Sequence, residues 1–237
     1  LAHPLSASLS KKSIFDFDCN KHSKAYMNAT GFHQEGSMIA FLVEEHSFVV
    51  HSPGRHTMEN AMAALAVAHG LGIQWEVCAD ALRNYQGIYR RHQVYGEKNG
   101  VILVDDFAHN PVKCARSIEA CQPLARKLIA WFQPHGYGPT RFLRHDFVEE
   151  IAKVRRPQDE IWMSEIYFAG GTAVKDISAN DLIEDLKAKG VNAFFVADRN
   201  DLLNTMRPHF TPSTTLLLMG ARDPSLGDFA KQVWGEL

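Results

Sequence analysis

The sequence lacks any marked charge imbalance and any long apolar run. Its 25 Lys and Arg stand against 27 Asp and Glu, a net charge of −2. No global field therefore recruits nucleic acid or an anionic membrane, and neither is expected as a partner. No apolar stretch reaches the ~18 residues of a membrane span. Residues 1–13 lack the charged-then-apolar order of a secretory signal, so a cytoplasmic location is expected. Cysteine is sparse: Cys19, Cys78, Cys114 and Cys121, none in a C-x-x-C pair. Buried free thiols are expected rather than a disulfide framework. The twelve histidines raise the question of a metal, but pairs such as His51/His56 and His135/His145 lack ligand spacing, so no metal site is expected. The phosphate loop G-x-x-x-x-G-K-[ST] is missing, as are G-x-S-x-G and H-E-x-x-H. An initiator methionine is missing too, and the chain reads as a piece of something longer.

What is present is ordinary globular material, 46% apolar and 22% charged over 237 residues, enough for one large domain or two small ones. Residues 1–55 are polar and broken by Gly and Pro, with a hairpin predicted over 38–43 and 47–51 about Glu44-Glu45. An Ala-rich helix follows, with Thr57 as its predicted cap and Gly70 and Gly72 at its end. A second helix is expected over 76–85, and the basic pair Arg90-Arg91 after it reads as solvated.

From about residue 93 short apolar runs at 101–104, 128–132, 160–165, 193–196 and 214–219 alternate with helical segments at 111–120, 142–154, 178–189, 200–206 and 226–234. This alternation predicts an α/β fold with a doubly wound, mostly parallel sheet. Ligands bind such sheets beyond the carboxyl ends of the strands. Three segments then stand out. Asp105-Asp106-Phe107-Ala108-His109-Asn110-Pro111 joins two carboxylates and an imidazole to a helix start, where N–H groups favour phosphate. The aspartates read equally well as caps of that helix. Phe132-Gln133-Pro134-His135-Gly136-Tyr137-Gly138-Pro139-Thr140-Arg141 reads as a loop offering an imidazole, a phenol and a guanidinium. Gly54-Arg55-His56-Thr57-Met58-Glu59-Asn60 opens the Ala-rich helix and places Asn60 where its amide can read a base edge, or merely decorate the helix. Gly220-Ala221-Arg222-Asp223 is a weaker candidate for an anion cradle.

In this order and spacing the segments resemble the Mur ligases, ATP-dependent amide ligases of peptidoglycan synthesis, and most of all their L-alanine-adding branch. That branch carries G-R-H-N-x-x-N, F-Q-G…R-R, D-D-Y-G-H-H-P, F-Q-P-H-R-[FY]-T-R-T, E-V-Y-P-A-G-E and a late G-A-G. Their counterparts here include Tyr85-Gln86-Gly87, Arg90-Arg91, Glu165-Ile166-Tyr167-Phe168-Ala169-Gly170-Gly171 and Gly220-Ala221. The resemblance implies the tail of a P-loop ATPase domain over 1–92 and a Rossmann-like C-terminal domain over 93–237. It also implies that the phosphate loop and the Mg ligands lie upstream. ATP would activate the carboxylate of UDP-N-acetylmuramate as an acyl phosphate, which an amino acid or short peptide attacks. Asn60, Arg91, Asp106 and His109 would bind ATP, while His135, Tyr137 and Arg141 would line the amino-substrate side. This piece alone would be inactive.

Five departures bear on the substrate. Thr57 replaces the first Asn of its motif, and Asn110 replaces a His. Phe107 is the residue of the branch that adds a recycled tripeptide. Gly136 and Pro139 stand where that pattern has two arginines, which leaves a non-catalytic Mur-like binding module as a further reading.

Overall fold

Continuous Val/Leu/Ile/Trp runs suit strands covered on both faces, and the second half of the chain builds its sheet from them. The computed structural model describes Phe17, Asp18 and residues 25–237, so Cys19 lies outside the described residues. It divides into two compact units, Leu1–Gly87 and Ile88–Leu237.

In the first unit β1 (Phe17–Asp18), β2 (Met27–Glu35), β3 (Met38–Val43) and β4 (His46–Val50) form a sheet in sequence order. The hairpin between β3 and β4 is the expected one, and Glu44 at its tip has φ 55°. β2 was not predicted; its MNATGFHQE sequence is too polar to announce a strand. Helix α1 (Arg55–Gly70) covers this sheet with a stripe of Met58, Ala61, Met62, Leu65 and Ala66, the spacing of one helical face. Its N-cap is Gly54, not Thr57. The Thr57 hydroxyl instead donates back to the Pro53 carbonyl from inside the first turn. Helix α2 (Trp75–Arg83) completes the unit.

The second unit is a six-stranded sheet in the order β5-β6-β10-β7-β8-β9. Its strands are β5 (Gln93–Lys98), β6 (Val101–Asp106), β7 (Lys127–Gln133), β8 (Glu160–Met163), β9 (Asn192–Phe195) and β10 (Thr214–Gly220). All are parallel except the edge strand β5, which pairs antiparallel with β6. Alternate residues feed two cores. Leu217 and Met219 face α3 (Pro111–Cys121), α4 (Tyr137–Val154) and α5 (Ala179–Ala188), while Leu216 and Leu218 face α6 (Leu202–Met206) and α7 (Leu226–Glu236). The steps β6→β7→β8→β9 all run one way, which puts α3, α4 and α5 on one face. The return to β10 runs the other way and puts α6 on the opposite face. β10 thus sits between β6 and β7 with its following helix on the other side. That reversal opens a crevice at the carboxyl ends of these three strands.

Two boundaries differ from expectation. α4 begins at Tyr137, so Gly138, Pro139, Thr140 and Arg141 are helical, not loop. Pro139 is the third residue of the helix, where no intrahelical partner exists for its missing N–H. Nor do Asp105 and Asp106 cap α3. They end β6, and the cap is Asn110, whose side chain accepts from the Lys113 N–H. The free buried thiols are as expected for Cys78, Cys114 and Cys121.

Candidate nucleotide and substrate site

The segment before β5 turns sharply and gives its two neighbouring arginines different surroundings, although both guanidinium groups lie within 6 Å of the Phe107 ring centre. Arg90 and His92 both have positive φ, 54° and 46°, costly for residues with a Cβ and sustained here by cross-links. Arg91 N–H donates to the Ile88 carbonyl, and Phe107 N–H donates to the Arg90 carbonyl at 2.8 Å. Arg91 is exposed. Arg90 is buried, and the reading of the pair as solvated fails for it. Its guanidinium donates to both oxygens of Asp105, at 2.9 and 3.2 Å, and to the Gly220 carbonyl at 3.0 Å. One side chain therefore pins the ends of β6 and β10 together. Burial pushes the Asp105 carboxyl upward, and the paired guanidinium pulls it back.

Asp106 is also buried. Its Oδ1 accepts the His92 N–H at 3.1 Å and lies 3.6 Å from His92 Nδ1, while His92 Nε2 is 3.0 Å from the Ser117 hydroxyl. Because these partners lie just before β5, at the end of β6 and on α3, they fix the strand end from which Phe107, Ala108 and His109 depart.

A cavity of about 690 Å³ opens where the β6, β7 and β10 loops meet, lined among others by Arg91, Phe107, His109, His135, Arg222 and Gly227. The side chains follow one another around it. The Arg91 guanidinium lies 5.0 Å over the Phe107 ring, the Phe107 and His109 rings are 5.6 Å apart edge to face, and the His109 and His135 rings are 5.9 Å apart. His109 Nδ1–H donates to the Phe107 carbonyl at 2.9 Å, since a carbonyl can only accept. That bond fixes the ring's orientation and turns Nε2 away from the Phe107 carbonyl. His135 is held by a short continuation of the sheet: Gly136 N–H donates to the Tyr167 carbonyl and Tyr167 N–H to the Pro134 carbonyl. Its Nδ1 is buried without a partner. Burial lowers its pKa, with His109 and Arg222 adding to the effect, so it is neutral near pH 7.

Of the residues singled out in the sequence, Arg91, His109 and His135 share this cavity. Asp106 is not among its lining residues and is tied to His92. Tyr137 lies at the start of α4, 5.4 Å from the Phe168 ring. Arg141, one turn on, is exposed, donates to the Val174 carbonyl and pairs with Asp176. Asn60 is exposed on α1 of the first unit. Arg90 is legible in the sequence only as one of a basic pair, and nothing beside it on the chain announces its burial or its bond to Asp105. Among the described residues no group of three or more His, Cys, Asp or Glu is placed to hold a metal ion, and no helix is long and apolar enough to cross a membrane.

Two half-buried histidines make stability depend on pH. Burial lowers the pKa of His92, with Asp106 opposing and Arg91 assisting, and that of His135 in the same direction. In the unfolded chain both titrate near ~6.5. Below that value the unfolded state takes up protons that the folded state refuses. The second unit is therefore expected to lose stability as pH falls from about 7 towards 5.5. His92→Asn, which tolerates the positive φ, should flatten the profile; urea unfolding at several pH values measures it, and equal slopes in both proteins would contradict the assignment.

Comparison with known proteins agrees with this architecture. Residues 90–222 match the sequence profile described as "Mur ligase, glutamate ligase domain". The UDP-N-acetylmuramate–L-alanine ligase of Acidithiobacillus ferrooxidans is 34% identical over 187 residues, 78% of this chain and 39% of that protein. The ligase of the same name from Carboxydothermus hydrogenoformans is 31% identical over 170 residues, 71% of this chain and 36% of that protein. The chain thus spans well under half the length of these relatives. Among solved structures, the UDP-N-acetylmuramate–alanine ligase of Thermotoga maritima superposes with a TM-score of 0.73 at 20% identity, covering 92% of this chain and 47% of that one. The MurF ligase of Thermotoga maritima, solved in complex with ADP, gives 0.62 at 16% identity, covering 90% and 48%. These two share the fold. The family profile takes in more than half of the chain, from the buried arginine of the site's floor to the loop after β10, and the chain belongs to the Mur ligase family.

Proposed function

We propose that this chain is the C-terminal part of an ATP-dependent amide ligase of peptidoglycan synthesis, acting in the cytoplasm, that joins L-alanine to UDP-N-acetylmuramate. The observation that carries the reading is the cavity at the sheet's reversal point, built from the D-D-F-A-H-N-P, F-Q-P-H and G-A-R-D segments. In the proposed reaction ATP converts the substrate carboxylate to an acyl phosphate. The amine attacks its carbonyl, and phosphate leaves from the tetrahedral intermediate. The phosphate loop and Mg ligands belong to residues outside this chain.

The residues present suit the rest of that task. Arg91 supplies a guanidinium and His109 a fixed Nε2 beside a nucleotide, with Asp106 holding the strand end behind them. Asn60, on the first unit, is assigned to the adenine edge. His135, neutral and with a free buried nitrogen, is assigned to the amino-substrate side. Tyr137 and Arg141, further along the same connection, are assigned to that side as well. Their part is positioning and stabilisation of developing charge.

A second reading has one observation in its favour: Phe107, covered by Arg91 and His109, offers no hydroxyl and matches the tripeptide-adding branch. The complete protein, supplied with ATP, magnesium and UDP-N-acetylmuramate, is expected to release ADP when L-alanine is added. Release with L-alanyl-γ-D-glutamyl-meso-diaminopimelate alone would replace the first reading by the second. Release with neither would leave a binding module. The 237-residue chain by itself is expected to show no ligation and at most weak ATP binding, because the phosphate loop is elsewhere. Micromolar ATP affinity by calorimetry would contradict that.

A further inference from the structure

The cavity's charge does not sit where the resemblance places it. At position 136 the backbone has φ 71°, and a Cβ there would come within 3.3 Å of the Pro139 ring. The pair Gly136 and Pro139 thus closes the start of α4 to a long side chain. Charge for an anionic group must come from other loops, and the lining shows which. Arg90 is neutralised by Asp105. The one carboxylate in the lining, Asp223, is taken by Arg199 and by the Ser225 N–H and hydroxyl. Arg91 and Arg222 both line the cavity and are exposed, and no ion pair with a carboxylate engages either among the described residues. Arg222 stands at the position where the late G-A-G pattern has its second glycine, so this guanidinium is a feature of the present chain. The His109 and His135 rings, 5.9 Å apart, and the unpartnered His135 Nδ1 share that lining, with Arg91 over the Phe107 ring that His109 meets and Arg222 near His135.

We propose that Arg222 and Arg91 form a two-sided clamp for an oxyanion, a phosphoryl or carboxylate group of the ligand, with Arg222 replacing the charge that Gly136 and Pro139 cannot supply. A guanidinium presents parallel N–H groups that match either oxyanion in a bidentate manner. Two of them without competing carboxylates leave the cavity with uncompensated positive charge. His135 lies close enough to Arg222 for that charge to help keep the ring neutral. Only the identity of the group gripped rests on the ligase reading; the clamp itself rests on the lining.

Calorimetric titration of the 237-residue chain with inorganic pyrophosphate, and separately with malonate, tests the clamp. At least one probe is expected to bind, with affinity falling as salt is raised. Arg222→Gly should weaken that binding about tenfold or more, and Arg222→Lys should weaken it less, because charge remains and the fork is lost. Arg126→Ala, at an exposed arginine just before β7, should leave it unchanged. Since Arg222 is exposed, its variants are expected to melt with the parent. Tighter binding of pyrophosphate assigns the clamp to a phosphoryl group, and tighter binding of malonate to a carboxylate. If neither probe binds, or if Arg222→Gly binds as tightly as the parent, the clamp is wrong. Absence of ADP release by the complete protein would instead overturn the ligase reading and leave this result standing.

Discussion

Asp105→Ala is expected to destabilise the second unit by about 3–5 kcal/mol. Arg90 and Asp105 are only 8% and 1% exposed, so the substitution strands a guanidinium with a single remaining bond, to the Gly220 carbonyl. Solvent cannot repair the loss at that depth, in contrast to the exposed pairs Arg83–Asp80 and Lys231–Asp228, where screening leaves little to lose. Replacing both partners with apolar residues, Arg90→Met with Asp105→Leu, should recover most of the stability. Urea unfolding in a Trp75→Phe background reports on the second unit alone, because Trp131, Trp162 and Trp234 all lie in it. A loss below about 1 kcal/mol for the single variant would show that the pair is not the fastening it is taken to be.

The second large effect concerns His109. In the complete protein, assayed for the ligase activity proposed above, His109→Ala is expected to lower kcat/KM by about a hundredfold, the scale of removing one preorganised polar group from a developing charge. The ring is half-buried, and its hydrogen bond is to a carbonyl two residues away. Its loss should therefore leave the melting temperature of the 237-residue chain within about 2 °C of the parent. A fall in kcat/KM below threefold, or a matching fall in melting temperature, would assign His109 to structure instead.

These two residues also mark what a sequence can and cannot disclose. His109 is legible because its neighbours on the chain are its neighbours in space: the strand end, the following helix and the proline that opens it occupy seven consecutive residues. The parallel sheet is legible for a similar reason, since 101–104, 128–132 and 216–219 are continuous apolar runs, and nearly every residue in them is buried. Arg90 is not legible. Next to Arg91 it is one of two adjacent charges, and only the fold brings Asp105 and the Gly220 carbonyl to it, 15 and 130 residues further on. The edge strand β5 escaped notice because Gln93–Lys98 is half solvated and mixed in character, without a continuous apolar run. Glycine and proline misdirected the reading of 137–141, where they occupy a helix's first turn and need no intrahelical N–H partner. At Thr57 a good capping residue stands three positions too late, and Gly54 takes the cap with φ 96°.

Amide hydrogen exchange on the complete protein, with and without ATP, magnesium and UDP-N-acetylmuramate, tests the central assignment most directly. The account predicts that ligand-dependent protection in the second unit concentrates in residues 88–92, 107–113, 134–137 and 220–227, the loops around the cavity. Protection confined to the opposite sheet edge, around Asp159, His209 and Thr214, with the cavity loops exchanging as before, would contradict it.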